Sequence, residues 1–370
     1  MRVLILWANE AHPNLGVAAL GQGAKELAKQ AFGPDTDVRF HGTGAANLPS
    51  NDGPLNISLL KTLLKESLRK NSQFNQWIKG FDLIIDMRGG DSFTDIYGIK
   101  RQIKTSFLSW LAPVYGIPVV LGPQTIGPFD SILGKIFGLL SLKRAQIVMA
   151  RDPKSYSFSQ KLFRTPDDLV TDVVFALPHQ SLEKKYDVLL NVSGLLWDEN
   201  PHVDYVEYRL LVKSLLDKLQ AEGRKVTLLP HVLRGEDQTS RIDNDEYPLE
   251  DLACDYPDIE TVVPQTLEEV REIVGSARLV IAARMHACLN AISMGTPAIA
   301  LAYSRKFDPL LKQLQWEHTF NLMNGPVNPD DIVTLVSQEK ILADEAHKVR
   351  MYADDLISEA ADTLRQAVIS

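Results

Sequence analysis

The residues best suited to chemistry lie in one short stretch, 278–306, where a histidine and several cations interrupt an apolar pattern. Residues 279–283 have the pattern of a buried strand, and Arg284 and His286 lie at the start of the helix that follows. Ligands of open α/β sheets collect at such strand ends, and a helix N-terminus favours an anion. An imidazole there can also transfer a proton near neutral pH. We therefore expect Arg284 to bind an acidic substrate and His286 to act in catalysis.

Two simpler explanations of this stretch have to be weighed. A single histidine beside apolar residues is more often an ordinary packed side chain than a catalytic one. The apolar run also resembles a membrane span, but Arg284, His286 and the break at Gly295-Thr296-Pro297 interrupt it too early. The membrane-spanning interpretation is therefore rejected, while the packed-histidine interpretation stays open at this point.

Length and composition favour a globular protein of two domains. The chain has 370 residues, more than one typical core, and 45% of them are hydrophobic. A formal net charge of −8 argues against general nucleic-acid binding. Cys254 and Cys288 do not have the spacing of metal ligands, so we expect them to be reduced thiols. The first apolar run, 3–8, is too short for a signal peptide, so we expect a cytoplasmic protein. We expect no metal, no P-loop nucleotide and no nicotinamide cofactor.

Strand and helix patterns alternate in both halves of the chain, which predicts an α/β fold of two Rossmann-like domains facing a cleft. A polar, proline-containing stretch near 177–185 separates them. We place the first domain at 1–178 and the second at 186–335. The last segment, 336–370, has a long helical pattern, and by analogy with two-domain transferases we expect it to pack back on the first domain.

Paired glycines give the first domain one candidate ligand loop. Gly89, Gly90 and Asp91 follow a predicted strand at 82–86, and glycines allow a ligand to approach the backbone closely. A tight turn whose polar side chain caps the next helix is an equally good explanation.

Two further strand ends in the first half carry polar candidates. Gln124 lies in a rigid glycine- and proline-rich loop that can shape a binding site, although such loops are common. Arg151 follows the predicted strand at 147–150 and is expected to bind a phosphate. The alternative is an arginine that pairs with Asp152 or Asp172.

The second half adds polar residues after two strands. His231 and Asp237 follow a predicted strand at 226–229, so we expect them to contact substrate. The alternatives are a histidine that caps a turn and a solvated charged loop. Lys306, with Arg305 beside it, closes the 278–306 stretch and can complete an anion site, unless it is an ordinary surface lysine.

One segment of the first half, 132–144, mixes large apolar residues with Lys135, Lys143 and Arg144. This composition suits peripheral contact with a membrane surface, for example if a substrate of the protein is lipid-linked. A buried helix with basic ends explains it equally well and is the interpretation we favour.

Taken in order, these motifs resemble the polysaccharide pyruvyl transferase family over about residues 1–310. The motifs are GGDSFTD from Gly89, GPQTIGPF from Gly122, Arg151-Asp152 with Ser155, Asp172 before Val-Val-Phe, Arg284-Met285-His286, Gly295-Thr296-Pro297, and then Tyr303 and Lys306. Two positions depart from the family pattern. Val17 stands where many relatives have the acid of Asn-x-Gly-Asp, and Arg88 stands where a third glycine is expected, and both departures bear on acceptor binding by the first domain.

The resemblance implies a fold similar to glycosyltransferases of the B type. It also implies transfer of the enolpyruvyl carbons of phosphoenolpyruvate to saccharide hydroxyls, which gives a pyruvate ketal without a cofactor. In this family the Arg-x-His motif, here Arg284 and His286, is implicated in phosphoenolpyruvate binding and proton transfer, and the Arg-Asp motif maps onto Arg151. The implied partners are phosphoenolpyruvate and a saccharide acceptor, and the oligomeric state is left open.

Two other functions are compatible with the same residues. In a nucleotide-sugar-dependent glycosyltransferase, Arg284, Lys306 and the helix N-terminus would hold a diphosphate, with Asp308 the nearest acid for a ribose. In a noncatalytic sugar-binding relative, the departures at Val17 and Arg88 would mark a lost activity.

Overall fold

The computed structural model describes residues 1–42, 47–48, 55–56, 60–69, 71–235 and 243–369. Contacts between Cα atoms divide the chain into two compact units. The first unit comprises Met1–Glu10, Leu20–Ala176 and Asp355–Ser370, and the second comprises Ala11–Ala19 and Leu177–Asp354. The domain bounds drawn from the sequence stay predictions, and the structure groups residues 11–19 with the second unit.

Apolar runs bounded by turn residues form the strands of the first unit, and the stretches between them form helices. Its strands are β1 (Arg2–Leu6), β2 (Asp37–His41), β3 (Asn47–Leu48), β4 (Leu55–Asn56), β5 (Leu83–Asp86), β6 (Val119–Gln124), β7 (Ile147–Ala150) and β8 (Asp168–Leu169). Its helices are α1 (Leu15–Phe32, which begins in the second unit), α2 (Leu60–Leu68), α3 (Gln73–Ile78), α4 (Ile99–Leu111), α5 (Ile132–Arg144) and α6 (Pro153–Lys161). Within the described residues, parallel strands form a sheet in the order β2-β1-β5-β6-β7-β8, and β3 pairs with β4 in antiparallel fashion.

The second unit repeats this alternation. Its strands are β9 (Tyr186–Asn191), β10 (Val226–Leu228), β11 (Glu260–Thr261), β12 (Ala277–Ala282), β13 (Ala298–Ala302) and β14 (Thr319–Asn321). Its helices are α7 (Gly194–Trp197), α8 (Tyr205–Ala221), α9 (Glu246–Asp255), α10 (Leu267–Gly275), α11 (Met285–Ser293), α12 (Phe307–Gln313), α13 (Pro329–Val336) and α14 (Glu339–Ile369, which ends in the first unit). Its parallel sheet has the order β11-β10-β9-β12-β13-β14. The predicted class, an α/β fold of two Rossmann-like units, is confirmed.

Each sheet has one point where the strand order reverses. In the first unit the chain leaves β1 for β2 on one side and returns to β5 on the other. In the second unit it leaves β9 for β10 and β11, and returns to β12. Loops that follow the two adjoining strands run apart at such a point, which leaves room for a ligand at the carboxyl edge. The loops after β9 and β12 therefore bound the natural ligand position of the second unit.

Strands near the middle of each sheet are buried on both faces, as parallel sheets covered by helices require. Every residue of β5, β7 and β13 is buried. On one side of the first sheet, Leu4 and Ile84 belong to the same hydrophobic cluster as Phe74 of α3 and Leu108 of α4. These rigid layers fix the strand ends that carry the polar candidates.

The helices of the described residues differ from a membrane segment in length or in polarity. None of them combines enough length with enough apolar character to cross a bilayer. The long helical pattern predicted at the C-terminus is α14, whose residues up to 354 are grouped with the second unit and the rest with the first.

Helix α1 depends on a glycine where it approaches the main chain after β8. A Cβ added to Gly23 would lie 2.2 Å from the carbonyl oxygen of Val173, and backbone cannot move aside cheaply. We expect Gly23→Ala to reduce the free energy of unfolding by about 2 kcal/mol or more, despite the higher helix propensity of alanine. Urea unfolding followed by circular dichroism measures the change.

Gly138 of α5 provides a matched control for this substitution. It is also a helical glycine of the first unit, but an added Cβ would meet only side-chain atoms of Phe129 and Leu162, at 3.0–3.2 Å. Gly138→Ala should change stability by no more than about 1 kcal/mol. Equal effects of the two substitutions would contradict the close backbone approach at Gly23.

Candidate functional site

A buried carboxylate organises the point of strand reversal in the second unit. Asp245 precedes α9 and is fully buried. Its Oδ1 accepts hydrogen bonds from Nε and Nη2 of Arg284, at 3.0 and 2.7 Å, and from the backbone nitrogen of Gly194 at 2.9 Å. The carboxylate thereby joins the start of α7 to the residue that precedes α11.

The second oxygen of Asp245 binds further segments. Its Oδ2 accepts from the backbone nitrogens of His231 and Val232, at 3.0 and 3.1 Å, and from Nδ2 of Asn191 at 3.2 Å. Asn191, the last residue of β9, in turn accepts from the backbone nitrogen of Arg284 at 3.0 Å. Asp245, Asn191 and Arg284 therefore satisfy one another at these strand ends, together with main-chain groups that follow β9 and β10.

Arg284 is buried and is bound by two carboxylates. Besides Asp245, its Nη1 donates to Oδ1 of Asp243 at 2.5 Å. The Asp243 side chain is 46% exposed, and its backbone has φ +63°, in the left-handed region that aspartate tolerates better than most residues. Burial opposes the charge of Arg284, but Asp245, Tyr303 and Asp243 raise its pKa above the ordinary value. The guanidinium is thus a permanent cation. Its Nη1 contacts Asp243, a carboxylate that is itself about half exposed.

His286 lies in the first turn of α11, one residue beyond Met285, and is partly exposed. The N-terminal turn of α1 packs against its ring. A Cβ added to Gly16 would lie 2.9 Å from Nδ1 of His286, so this position of the Asn14-Leu15-Gly16-Val17 segment has room only for glycine. Asn14 fixes the turn by accepting from the backbone nitrogen of Gly16 at 3.0 Å.

The predicted contact residue His231 is buried rather than open to solvent. Its Nε2 lies 3.1 Å from Nδ2 of Asn290 in α11. Oδ1 of Asn290 accepts from Nη1 of Arg271 at 3.2 Å, and a guanidinium can only donate, so the amide must present its NH2 to His231. Nε2 of His231 therefore accepts, and the ring carries its hydrogen on Nδ1. We refer to this series as the Arg271–Asn290–His231 chain.

Charge and burial agree with this tautomer. Burial and then the charge of His286 lower the pKa of His231 to about 3, while Asp245 opposes this shift and Arg284 adds a smaller lowering. Burial and the nearby Arg350 lower the pKa of Arg271 to about 10, which still leaves it a cation at neutral pH. The carbonyl of His231 accepts from the backbone nitrogen of Leu15 at 3.1 Å, beside the glycine that packs on His286. A neutral imidazole is therefore fixed next to the His286 region.

Tyr303 and Lys306 follow β13 at the same edge of the sheet. Burial raises the pKa of the Tyr303 hydroxyl, although Arg284 opposes that shift. Lys306 is partly buried at the N-cap position of α12, and burial lowers its pKa to about 8. Lys306 thus keeps most of its charge at neutral pH while being less hydrated than a surface lysine.

The glycine loop of the first unit is a tight turn at its point of strand reversal. Gly89 donates from its backbone nitrogen to the carbonyl of Trp7, after β1, at 2.8 Å. Arg88 has φ +44°, a left-handed conformation that explains why a glycine is expected there. The arginine is held instead by Asp86, 2.9 Å from its Nε, and by the ring of Phe93. Gly90 is buried, and Asp91 is partly exposed and accepts from the hydroxyl of Tyr97 at 3.3 Å.

Gln124 and Arg151 have structural partners within the first unit. Gln124 is fully buried and donates to the carbonyl of Asp86 at 2.6 Å. Arg151 is 1% exposed, pairs with Asp172 at 2.8 Å and donates to Oγ1 of Thr125 from two nitrogens. The alternative of an arginine paired with Asp172 describes this geometry, and ligand binding by Arg151 or Gln124 stays a prediction.

The predicted site residues therefore fall into two groups. The second unit brings Arg284 and His231 to Asp245, and it holds His286 at the start of α11 and Lys306 at the same sheet edge. The first unit holds Gly89, Gly90, Asp91, Gln124 and Arg151. Asp237 lies outside the described residues.

The described part of the chain offers no clustered metal-ligand set, and one cavity of its second unit is lined by other residues. It contains no group of three or more His, Cys, Asp or Glu side chains placed to hold a metal ion. Cys254 is exposed and Cys288 is buried, and both are unpaired. A cavity of 760 Å³ in the second unit lies beside α8 and the loop before α13, and its lining includes His202 and Tyr208 but no predicted site residue.

The profile of one known family covers most of this chain. Residues 14–305 match the family described as polysaccharide pyruvyl transferase. This chain belongs to the polysaccharide pyruvyl transferase family. The resemblance inferred from the motifs is confirmed, and the matched range includes every predicted site residue except Lys306, which lies one position beyond it.

One relative of this pyruvyl transferase family member is the amylovoran biosynthesis protein AmsJ of Erwinia amylovora. The two are 23% identical over 266 residues, which is 65% of this chain. The alignment covers 61% of AmsJ, so the chain spans about three fifths of the length of that relative.

Solved structures of similar fold have low sequence identity to this pyruvyl transferase family member. UDP-GlcNAc 2-epimerase from Neisseria meningitidis has a TM-score of 0.58 at 12% identity, with 100% of both chains covered. Sucrose-phosphate synthase from Thermosynechococcus elongatus has a TM-score of 0.57 at 12% identity, covering 99% of this chain and 98% of the other. These likenesses show the fold alone, and they confirm the expected similarity to glycosyltransferases of the B type.

Arg284 and His286 of this pyruvyl transferase family member are predictable from the sequence, whereas the residues that support them are harder to recognise. Asp245, Asn191 and Asn290 were not predicted, although all three are fully buried. Asn191 could have been found, because it is a polar residue at the end of a predicted apolar strand. Asp245 gives no such signal, because it stands in a charged stretch with no hydrophobic period.

Removing the buried carboxylate should destabilise the second unit. Asp245→Asn leaves Arg284 without its buried counter-charge, so we expect a loss of about 3–5 kcal/mol in the free energy of unfolding. Asp243→Asn is the matched control, because it removes a half-exposed partner of the same guanidinium and should cost at most about 1 kcal/mol. Chemical denaturation of both variants tests this, and a smaller loss for Asp245→Asn than for Asp243→Asn would contradict it.

His231 should remain neutral, with its hydrogen on Nδ1, well below neutral pH. An unfolded chain takes up this proton near the ordinary pKa of 6.5, whereas the folded chain does so near 3. Protonation of His231 therefore favours the unfolded state, and stability falls as the pH is lowered through this window. Nitrogen-15 NMR of the histidine-labelled chain, assigned with His231→Asn, should show no titration of His231 between pH 8 and about 5. A titration midpoint above pH 5 or an Nε2–H tautomer would rule out the assignment.

Proposed function

We propose that this protein transfers a pyruvyl group from phosphoenolpyruvate to two hydroxyls of a saccharide, forming a pyruvate ketal in polysaccharide or glycoconjugate biosynthesis. Membership of the polysaccharide pyruvyl transferase family supports the reaction class. The observation that carries the proposal is the placement of Arg284 and His286 at the N-terminus of α11, at the strand reversal of the second unit. A cation and a proton-transfer group meet there at a position that favours anions.

Donor binding follows from the charges around α11. Phosphoenolpyruvate carries a phosphate and a carboxylate, and both are natural partners of a guanidinium. Nη1 of Arg284 is held by the half-exposed Asp243, so one anionic group of the donor takes the place of that carboxylate. Lys306 supplies a second, partly dehydrated cation. Arg151, in the Arg-Asp motif of the first unit, stays a predicted phosphate ligand.

The reaction is then a sequence of proton transfers and two hydroxyl additions. His286 in its protonated form donates a hydrogen to the methylene carbon of phosphoenolpyruvate, which becomes a methyl group while the adjacent carbon becomes an oxocarbenium centre. A saccharide hydroxyl attacks that centre and returns its proton to His286. A second hydroxyl then displaces phosphate, which leaves with the proton of that hydroxyl, and the ketal ring closes. The scheme uses no cofactor.

The buried neighbour of His286 suits this role. A protonated His286 beside a second imidazolium would be disfavoured by charge repulsion. The Arg271–Asn290–His231 chain keeps His231 neutral and fixes its tautomer, so it does not oppose a proton on His286. His231 therefore acts in the proposal as a positioning residue rather than as a direct substrate contact.

The saccharide acceptor is assigned to the first unit. Its glycine loop at Gly89, Gly90 and Asp91 lies at the strand reversal, where ligands of parallel sheets bind. Arg88 of this unit differs from the family pattern and so bears on which saccharide is accepted, whereas Val17, the other departure, is grouped with the second unit. We place the reaction in the cytoplasm, where phosphoenolpyruvate is produced by central metabolism.

Replacing the proposed acid tests the function directly. We expect His286→Asn to lower turnover about a hundredfold or more while phosphoenolpyruvate binding changes little, because proton transfer is lost and the cations remain. Phosphate release is measured with phosphoenolpyruvate and a saccharide fraction from cells that make the polysaccharide. Isothermal titration calorimetry measures donor binding.

The exposed His347 of α14 provides the control, since His347→Asn should leave turnover unchanged. Native turnover in folded His286→Asn would refute the catalytic assignment. Binding of nucleotide sugars in place of phosphoenolpyruvate would replace the proposal with a glycosyltransferase. Absence of any phosphate release that depends on both donor and acceptor would favour a noncatalytic sugar-binding relative.

A further inference from the structure

Helix α5 of the first unit carries its large aliphatic side chains on the outside. Ile132 is 77% exposed, and Leu133 and Ile136 are each 53% exposed. The buried face of the same helix consists mainly of small residues, Gly134, Gly138 and Ser141 among them. An ordinary surface helix has the opposite polarity, with large apolar residues inside. The buried helix that we favoured from the sequence is therefore wrong for these three aliphatic side chains.

Close packing against α4 explains the small inner face. Nε2 of Gln102 donates to the carbonyl of Gly134 at 3.0 Å, which brings the two helices together at a glycine. Nε1 of Trp110 donates to Oγ of Ser141 at 2.8 Å, further along the interface. Polar bonds and small side chains thus contribute to the interface with α4, while Ile132 and Ile136 remain exposed.

Two more exposed apolar residues lie beside the start of α5. Ile96 is 53% exposed and Tyr97 is 46% exposed. Asp95, next to them in the chain, accepts from the backbone nitrogens of Asp130 and Ser131 at 3.0 and 2.8 Å, which ties this loop to the N-cap of α5. The exposed apolar residues thus form one surface, which we call the α4–α5 patch: Ile96, Tyr97, Ile132, Leu133 and Ile136.

Cations surround this patch although the whole chain has a net charge of −8. Lys100 and Arg101 lie in the first turn of α4 and are exposed, as are Lys135 and Lys143 of α5. Among the described residues, Lys100, Lys135 and Lys143 have no ion-pair partner. The nearest acids at the start of α5 are Asp95, whose carboxylate is bound by Ser131, and the exposed Asp130.

We propose that the α4–α5 patch docks the first unit on a membrane surface that contains anionic lipids. The aliphatic side chains would enter the boundary between headgroups and acyl chains, and the unpaired lysines would contact the negative headgroups. A second copy of this chain is a poorer occupant, because a symmetric contact would bring the same lysines face to face. Docking would present the first unit to a lipid-linked saccharide, and in this respect the inference rests on the proposed function.

Vesicle cosedimentation of the full chain tests the inference without any substrate. We expect binding to vesicles of phosphatidylcholine with phosphatidylglycerol, little binding to phosphatidylcholine alone, and release by high salt. The double substitution Ile132→Ser with Ile136→Ser should weaken binding about tenfold or more, and Lys135→Glu with Lys143→Glu should do the same. Neither pair lies in the proposed reaction machinery, so phosphate release with a water-soluble acceptor should not change.

Matched controls are available in the second unit. Val206 and Leu210 of α8 are 48% and 56% exposed and have the same four-residue spacing as Ile132 and Ile136. Val206→Ser with Leu210→Ser should leave vesicle binding intact. Equal binding to neutral and anionic vesicles, or native binding after the isoleucine substitutions, would overturn the inference. Self-association abolished by those substitutions, without vesicle binding, would identify the patch as a contact between copies instead. These outcomes do not depend on whether phosphoenolpyruvate is the donor.

Discussion

The buried ion pair between Asp245 and Arg284 is the interaction on which the second unit depends. A carboxylate removed from water is tolerated only when its oxygens are filled by donors, and here Arg284 and four main-chain or amide groups provide them. Those donors come from the segments after β9, β10 and β12. The same bonds that satisfy the charge therefore fix the start of α11, and with it the position of His286.

The ion pair also determines how an anion can be recognised. Arg284 is neutralised on one side by Asp245, which no ligand can reach, and on the other by Asp243, which is half exposed. The free energy that a ligand gains by binding Nη1 is therefore only the difference between its own interaction with Nη1 and that of Asp243. This arrangement favours a ligand with more negative charge than a single carboxylate, such as one that carries both a phosphate and a carboxyl group. In the proposed donor complex, the interior contact would preserve the geometry while the outer contact would be exchanged.

The parts of this arrangement that follow a local rule could be predicted from the sequence. Arg284 and His286 were found because a buried strand and a helix start are visible in the apolar pattern around them. Asp245 lies 39 residues earlier in the chain, and its burial depends on contacts among strand ends that are distant in sequence. The prediction that α5 is a buried helix was wrong for a different reason. Its composition mixes apolar and basic residues without a clear period, so only the packing against α4 decides which of its side chains are inside and which are outside.

His231 shows how a residue predicted from its place after a strand can be held entirely by other protein groups. It was expected to touch substrate because it follows a strand, and the strand does bring it to the correct edge of the sheet. Arg271, however, can only donate hydrogen bonds, so the amide oxygen of Asn290 faces it. The NH2 group of Asn290 then faces His231, and Nε2 of His231 is an acceptor. A residue whose hydrogen bonds are all fixed by the protein is poorly suited to bind a substrate whose protonation changes during the reaction. It is well suited to hold a neighbouring side chain in position. The two imidazoles therefore differ in their surroundings: the fold determines the proton position of the buried His231, whereas His286 lies in the first turn of α11.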